Sequence, residues 1–177
     1  GDPFGYTSEF FSASDNLFYE DINIEVSKKI NRQWRILASF IHITYNKDDI
    51  LNLDGFGTFS VNSPIVEAQY RIDRKKSLRF EYQHMFVDGD QGDWAMALAE
   101  FTLAPHWFFT LMNEWNYDNP NPDRSVHYPS IFCGYNKGGT RVTLGYARQR
   151  EGIICIGGIC RILPASNGVQ MSVSTTF

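Results

Sequence analysis

The residues of this 177-residue sequence that could do chemistry are two closely spaced cysteines, a run of aspartates and a set of carboxylates on alternating segments. Cys155 and Cys160 are separated by Ile-Gly-Gly-Ile, and a tight turn over these four residues would bring the two sulfurs together. In an oxidising compartment we expect a disulfide between them. Zinc needs four ligands, and no second pair of cysteines or histidines with suitable spacing is present.

The aspartate run could hold a hard cation. Asp88, Asp90 and Asp93 place oxygen ligands in a glycine-rich segment that resembles part of a calcium loop. The segment departs from the EF-hand pattern, because Gly92 stands at the position of the third ligand and no glutamate follows at the twelfth. We therefore favour a polar loop, with calcium as a weaker alternative, and we expect no cofactor.

Catalytic patterns are absent from the sequence. The four histidines form no HxxxH or HExxH pattern, and no GxSxG segment occurs. Glu67, Glu81, Glu100 and Glu114 could meet inside a barrel, and paired acids can do acid–base work. Charged side chains that brace an interior are far commoner than such pairs, so we predict that the protein is not an enzyme.

Composition excludes two classes of protein. A net charge of −4 offers no basic surface for nucleic acid. No run of 18 apolar residues is present, which excludes a helical membrane span. A mean hydropathy of −0.30 is compatible with a soluble β protein or with a membrane barrel, because barrel strands alternate apolar and polar residues. Residue 1 opens without a signal peptide, so we expect any secretory signal to lie upstream or to have been removed.

Period-two alternation of apolar and polar residues recurs along most of the chain, and no long 3.6-residue stripe competes with it. This alternation predicts nine β-strands. Their predicted bounds are 17–27, 34–45, 65–73, 77–87, 94–104, 107–117, 127–136, 140–149 and 168–177.

The predicted connections alternate between short and long. Short turns lie near 28–33, 74–76, 104–106 and 137–139, and longer loops rich in Gly, Asp, Asn and Pro lie at 46–62, 88–93, 118–126 and 150–167. Tight turns on one side and extended loops on the other are typical of outer-membrane barrels. A soluble sandwich with Greek-key crossings has no reason to keep this rhythm. The pattern therefore predicts an all-β, antiparallel, up-and-down transmembrane β-barrel.

The polar faces of the predicted strands carry charges in positions that can pair. Glu25 falls opposite Arg35 if Ile24 faces Ile36 in the first hairpin. If the 74–76 turn sets Tyr70 opposite Phe80, Gln69 faces Glu81 and Arg71 lies diagonal to it. The predicted charge network of the barrel interior is Glu25, Arg35, Glu67, Arg71, Arg79 and Glu81.

Aromatic residues gather at the ends of the predicted strands: Trp34, Trp94, Trp107, Phe108, Trp115, Tyr117, Tyr128 and Tyr146. Amphipathic rings favour the membrane–water interface, so we favour an aromatic girdle over the packed core of a soluble protein. The last strand alternates and ends at Phe177, which looks like the signal read by outer-membrane insertion machinery.

The strand count bears on the size of the barrel. If the last strand ends in the periplasm, nine strands place residue 17 outside the cell, which is awkward for a barrel with an even number of strands. Either residues 4–12 supply a tenth strand, or residues 1–177 are the C-terminal portion of a larger barrel rather than a complete single barrel domain. We favour the larger barrel.

Two segments resemble a known family: DQGDWAMALAEFTLAPHWFFTLMNEWNYDNP (90–120) and GYARQREGIICIGGICRILPASNGVQMSVSTTF (145–177), with CIGGICRILPASNG as the most characteristic piece. They resemble Bacteroidota outer-membrane proteins catalogued only as a domain of unknown function. The first half resembles the family more loosely. The resemblance implies a barrel fold, an outer-membrane location and a missing upstream part, and it transfers no catalytic residue.

These observations favour a barrel in the bacterial outer membrane that acts as a channel, or as a scaffold or subunit of an envelope assembly. The expected partners are the lipid bilayer, the insertion machinery and other envelope proteins, without nucleic acid. Two alternatives stay open: a barrel enzyme acting at the membrane surface, and a soluble β-sandwich or lipocalin-like binding module.

Overall fold

The structure, a computed structural model, describes residues 19–46, 48, 55, 57–88, 92–150, 152–156 and 159–176, with the backbone alone for 152–156 and 159–163. Strands make up most of the described chain. They are β1 Tyr19–Lys29, β2 Trp34–Asn46, β3 Thr58–Arg71, β4 Lys76–Asp88, β5 Trp94–Leu103, β6 Trp107–Trp115, β7 His127–Lys137, β8 Thr140–Gln149, β9 Gly152–Ile156, β10 Ile159–Leu163 and β11 Ser166–Thr175.

Nine of these strands form one antiparallel sheet in the order β1-β2-β3-β4-β5-β6-β7-β8-β11, so that each strand pairs with its neighbour in this order. This confirms the predicted all-β, up-and-down arrangement. The sheet is open, because β1 and β11 pair with no further described strand. Strands β9 and β10 form a separate hairpin. Among the described residues, no helix is long and apolar enough to cross a membrane.

The short-and-long rhythm of the connections is confirmed. The connections at one end of the sheet, named the short-turn end, are 30–33, 72–75, 104–106 and 138–139, and those at the other, the long-loop end, are 47–57, 89–93, 116–126 and 150–165. Strand β3 begins at Thr58, seven residues before the predicted start at residue 65. Its first residues pair with the end of β2, from Asn46↔Thr58 to Ile41↔Ser63. This pairing forms a strand from a Ser- and Asn-containing segment that the sequence assigned to a loop.

The predicted register of the first hairpin is wrong. Glu25 lies opposite Ser39 instead of Arg35. The turn centres on residue 32 because the side chain of Asn31 accepts hydrogen bonds from the backbone N–H groups of Gln33 and Trp34, both at 2.8 Å. The displacement of four residues is even, so Glu25 and Arg35 still share one face of the sheet.

The predicted register of the β3–β4 hairpin is also wrong, here by two residues. Gln69 lies opposite Arg79 instead of Glu81, and Glu67 lies opposite Glu81. Asp73 sets this register, since its side chain closes the turn at 72–75. The faces are again preserved, because the displacement is even.

Asp73 supplies the first prediction. The backbone N–H groups of Lys75 and Lys76 donate to Asp73 Oδ1 at 2.7 and 2.9 Å and hold the pKa of this carboxyl below its usual value. A depressed carboxyl pKa stabilises the fold above the ordinary carboxyl pKa, and this stabilisation is lost as the pH falls through the folded value. We expect NMR titration to give Asp73 a lower pKa than the same aspartate in an isolated turn peptide. Equal pKa values would contradict the capped turn.

The two faces of the nine-stranded sheet differ in character. One, the apolar face, carries residues such as Ile24, Phe80 and Leu111, and the other, the polar face, carries residues such as Glu67 and Arg79. Directly opposed residues of paired strands lie on the same face, so the alternation within each strand extends across the whole sheet.

Candidate functional site

The large hydrophobic side chains that remain exposed concentrate on the apolar face. Among strand residues, all of them but Tyr19 lie there: Ile22, Ile24, Val26, Trp34, Ile36, Phe40, Val66, Phe80, Tyr82, Phe86, Trp107, Phe109, Leu111, Trp115, Ile131, Leu144, Tyr146, Val169, Met171 and Val173. Leu111 in the middle of the sheet is 57% exposed, and Val169 on the edge is 77% exposed. No described element covers this face.

Burial is concentrated on the opposite face. Of the six described residues that are buried, five lie in strands on the polar face: Phe59, Trp94, Ser130, Gly134 and Ala147. The sixth, Asn116, follows β6 directly and is 2% exposed. The polar face is therefore the more buried of the two and the apolar face the more exposed, which is the reverse of a soluble half-buried sheet.

The predicted charge network forms in part. Arg79 Nε lies 2.7 Å from Glu67 Oε2, and the Nη2 atom of Arg79 also pairs with Glu81. Two amides extend the group, since Gln69 donates to Glu67 at 2.8 Å and Gln83 donates to Glu81 at 2.5 Å. One guanidinium thus holds two directly opposed carboxylates that would otherwise repel each other.

The other three predicted members do not join this group. Glu25 and Arg71 form no ion pair with a described residue, and Arg71 lies opposite Ser77. Arg35 donates from Nε to Ser27 Oγ at 3.0 Å. The sequence therefore identified the right face for all six charges, whereas the register decided which of them meet.

The predicted aromatic girdle is wrong for three of its eight members. Trp34, Trp107, Trp115 and Tyr146 are exposed on the apolar face. In contrast, Trp94, Phe108 and Tyr128 occupy polar-face positions of their strands, as their cross-strand partners show. Position at a strand end is not enough to place a ring at an interface, because the parity of the position decides the face.

The rings on the polar face form contacts that reach across an intervening strand. Trp94 is 8% exposed, its ring centroid lies 5.8 Å from that of Tyr128, and the guanidinium of Arg150 lies 4.5 Å above it. Arg141 in β8 lies 4.4 Å from the ring of Phe108 in β6. Each cation over a ring adds about 0.5–1 kcal/mol, and more where water is excluded. The polar face is therefore partly filled by its own side chains.

A hydrogen-bonded chain at the long-loop end was not predicted. The Tyr117 hydroxyl donates to Asp93 Oδ2 at 3.1 Å, and His84 Nε2 lies 2.8 Å from the same hydroxyl. Burial and the hydrogen bond to Asp93 raise the pKa of Tyr117, so this hydroxyl keeps its proton. The sequence offers no clear pattern for this chain, because its three residues come from β4 and from two separate connections.

This chain bears on the predicted calcium loop. Asp93 already accepts hydrogen bonds at both oxygens, since Oδ1 also accepts from the backbone N–H of Val87 at 2.8 Å. Asp88 ends β4, and Asp90 lies outside the described residues. Within the described part of the chain, no three potential ligands cluster for a metal ion. The arrangement instead ties the loop to β4 and to residue 117.

The predicted disulfide falls on residues of which the structure describes the backbone alone. Cys155 and Cys160 are directly opposed in the β9–β10 hairpin. Opposed residues of antiparallel strands have Cα atoms about 4.5–5.5 Å apart, within the range of disulfides at about 4.4–6.8 Å. The disulfide itself stays a prediction. Cys133 is a free, half-buried cysteine, and Phe177, the predicted insertion signal, lies outside the described residues.

Comparison with known proteins gave one match. A family model described as "Family of unknown function (DUF6029)" matches residues 2–177. No curated protein and no solved structure matches the chain. The match confirms the predicted kind of family, one catalogued without a function, and it extends over the first half of the chain as well as the second. The phylum and the outer-membrane location stay predictions.

Proposed function

The chain belongs to the DUF6029 family of unknown function, and from the geometry of its sheet we propose that it forms the wall of a β-barrel embedded in a bacterial outer membrane. The observation that carries this proposal is the outward apolar face. Its aliphatic and aromatic side chains are exposed, while the charged face is the more enclosed one. Acyl chains are the partner whose chemistry fits such a surface.

The size of the apolar face supports a lipid contact. Nine strands at about 4.8 Å spacing span roughly 40 Å, and the apolar run from Trp34 to Phe40 in β2 extends about 20 Å along the strand. The largest apolar patches of soluble monomers cover only about 300–600 Å². The apolar face, about 40 Å by 20 Å, covers about 800 Å². An exposed apolar face of this size in water would drive aggregation.

Strand length is consistent with a membrane span. The nine strands of the sheet contain from 9 residues in β6 to 14 in β3. A tilted strand needs about 9–11 residues to cross the hydrocarbon core. The polar group of His42, Asn62 and Thr44, in which His42 Nδ1 lies 2.8 Å from Asn62 Oδ1, marks where the apolar run of β2 and β3 ends.

Further strands would complete the proposed barrel. In an antiparallel sheet of nine strands, β1 and β11 run in the same direction, so direct closure would make a parallel pair. An odd number of added strands gives antiparallel closure and the even total found in bacterial barrels. The two open edges are therefore the places where the remaining strands of a larger barrel would pair.

Within this proposal, a scaffold or assembly subunit fits better than a wide channel. Arg79, Glu67 and Glu81 are joined on the polar face, and Arg150 reaches over it to Trp94. Side chains of this size would narrow a lumen. We expect purified protein to give little or no current in planar bilayers, and a large steady conductance would favour the channel.

The proposal is tested by membrane extraction. We expect the native protein to stay in the membrane pellet through alkaline carbonate washing and to be released by detergent, because its apolar face contacts acyl chains. A peripheral envelope protein that carbonate releases serves as the control. Recovery of folded protein from a membrane-free fraction without detergent would falsify the proposal.

A further inference from the structure

A basic pocket lies on the polar face at the short-turn end of β1 to β5. Its volume is about 390 Å³. Among the described residues, five cationic side chains line it against a single acidic one, Glu100: Lys29, Arg32, Arg35, Arg71 and Arg79. In a chain with a net charge of −4, this is a local reversal of sign.

Most of this positive charge is not neutralised by the described residues. Arg79 is held by Glu67 and Glu81, whereas the other four cations form no ion pair with any described residue. Lys29 and Arg35 are moreover directly opposed in the β1–β2 ladder. Like charges that are directly opposed in a sheet destabilise it, and a bound anion would reduce the repulsion between Lys29 and Arg35.

We propose that this pocket binds a phosphate group. Arginine side chains present forked donors that match phosphate oxygens, and the arginines of the pocket come from three parts of the chain: Arg35 from β2, Arg71 from β3 and Arg32 from the first turn. Lys29 adds a point charge from β1. A phosphate with two charges satisfies this set better than a single carboxylate.

The site does not depend on what covers the apolar face, because all of its charged strand residues lie on the polar face. Two sources of phosphate fit its position at the rim of the sheet. One is a soluble phosphate compound, and the other is the headgroup of an anionic lipid.

The test uses the detergent-solubilised full-length protein in two binding assays. Calorimetry measures its binding to pyrophosphate. The second assay compares its binding to nanodiscs of phosphatidylglycerol with its binding to nanodiscs of phosphatidylcholine. We expect Arg35→Gln with Arg71→Gln to weaken binding at least about tenfold, since the change removes two charge-assisted contacts to the phosphate. Pyrophosphate binding identifies a soluble ligand, and binding confined to phosphatidylglycerol identifies a headgroup.

The matched control is Lys75→Gln with Lys137→Gln, which removes the same charge at the same end of the sheet but outside the pocket. We expect this variant to bind nearly as well as the parent protein. Equal weakening in both variants would show general electrostatic attraction and overturn the site. Absence of binding in both assays would overturn it as well.

Discussion

Replacing Leu111 by arginine should lower the free energy of unfolding in lipid by about 2–4 kcal/mol, the cost of a cation on the lipid face near the bilayer midplane. Leu111 lies in the middle of β6, on the apolar face, and is 57% exposed. In water, a substitution at so exposed a position is usually worth less than about 0.5 kcal/mol. The size of the loss in unfolding free energy therefore shows whether Leu111 lies in lipid or in water.

The neighbouring residue provides the control. Thr110 lies on the polar face opposite Glu100, so Thr110→Arg adds the same charge next to a carboxylate. We expect this variant to unfold within about 0.5 kcal/mol of the parent in urea titrations of protein reconstituted in vesicles. If Leu111→Arg is as mild as Thr110→Arg in vesicles, the apolar face does not contact lipid.

The second large effect is expected at Gly134 in β7. A Cβ atom at this position would lie 2.0 Å from the ring of Phe108, which lies over the glycine on the polar face. If the ring moved away, it would lose its stacking contact with Arg141. Overpacking of this kind costs about 1–3 kcal/mol, so Gly134→Ala should lower the free energy of unfolding by that amount.

A double-mutant cycle shows whether the ring is the cause. Phe108→Ala removes the clash, so Gly134→Ala should cost much less in that background, with a coupling energy of at least about 1 kcal/mol. Gly168→Ala in β11 is the control, because a Cβ atom there meets nothing within 4 Å. Additive effects in the cycle would mean that Phe108 does not occupy this position.

The sequence indicated the nine strands of the main sheet and the face of their charged residues, although it missed β9 and β10 and the start of β3. Alternation in β4, with Leu78, Phe80 and Tyr82 on one side and Arg79, Glu81 and Gln83 on the other, is visible without any knowledge of pairing. Such a pattern depends only on the two-residue period of a strand. The same reasoning placed the six charges of the predicted network on one face.

Register could not be obtained in this way. Gln69 lies opposite Arg79 rather than opposite Glu81 because the side chain of Asp73 caps the turn between β3 and β4. A displacement of two residues leaves every side chain on its own face, so the alternation carries no information about it. The sequence therefore predicted which charged residues share the polar face, but it did not predict which of them form ion pairs.

The sequence by itself determined the all-β class, the short-turn and long-loop ends and the two unlike faces, because these follow from the local period and the turn residues. Only the tertiary structure decided that Trp94 and Tyr128 lie on the polar face, that Arg79 joins Glu67 to Glu81, and that four other cations line one pocket without an ion pair to any described residue. Contacts between strands are fixed by pairing over long separations in the chain, and a local pattern does not encode them.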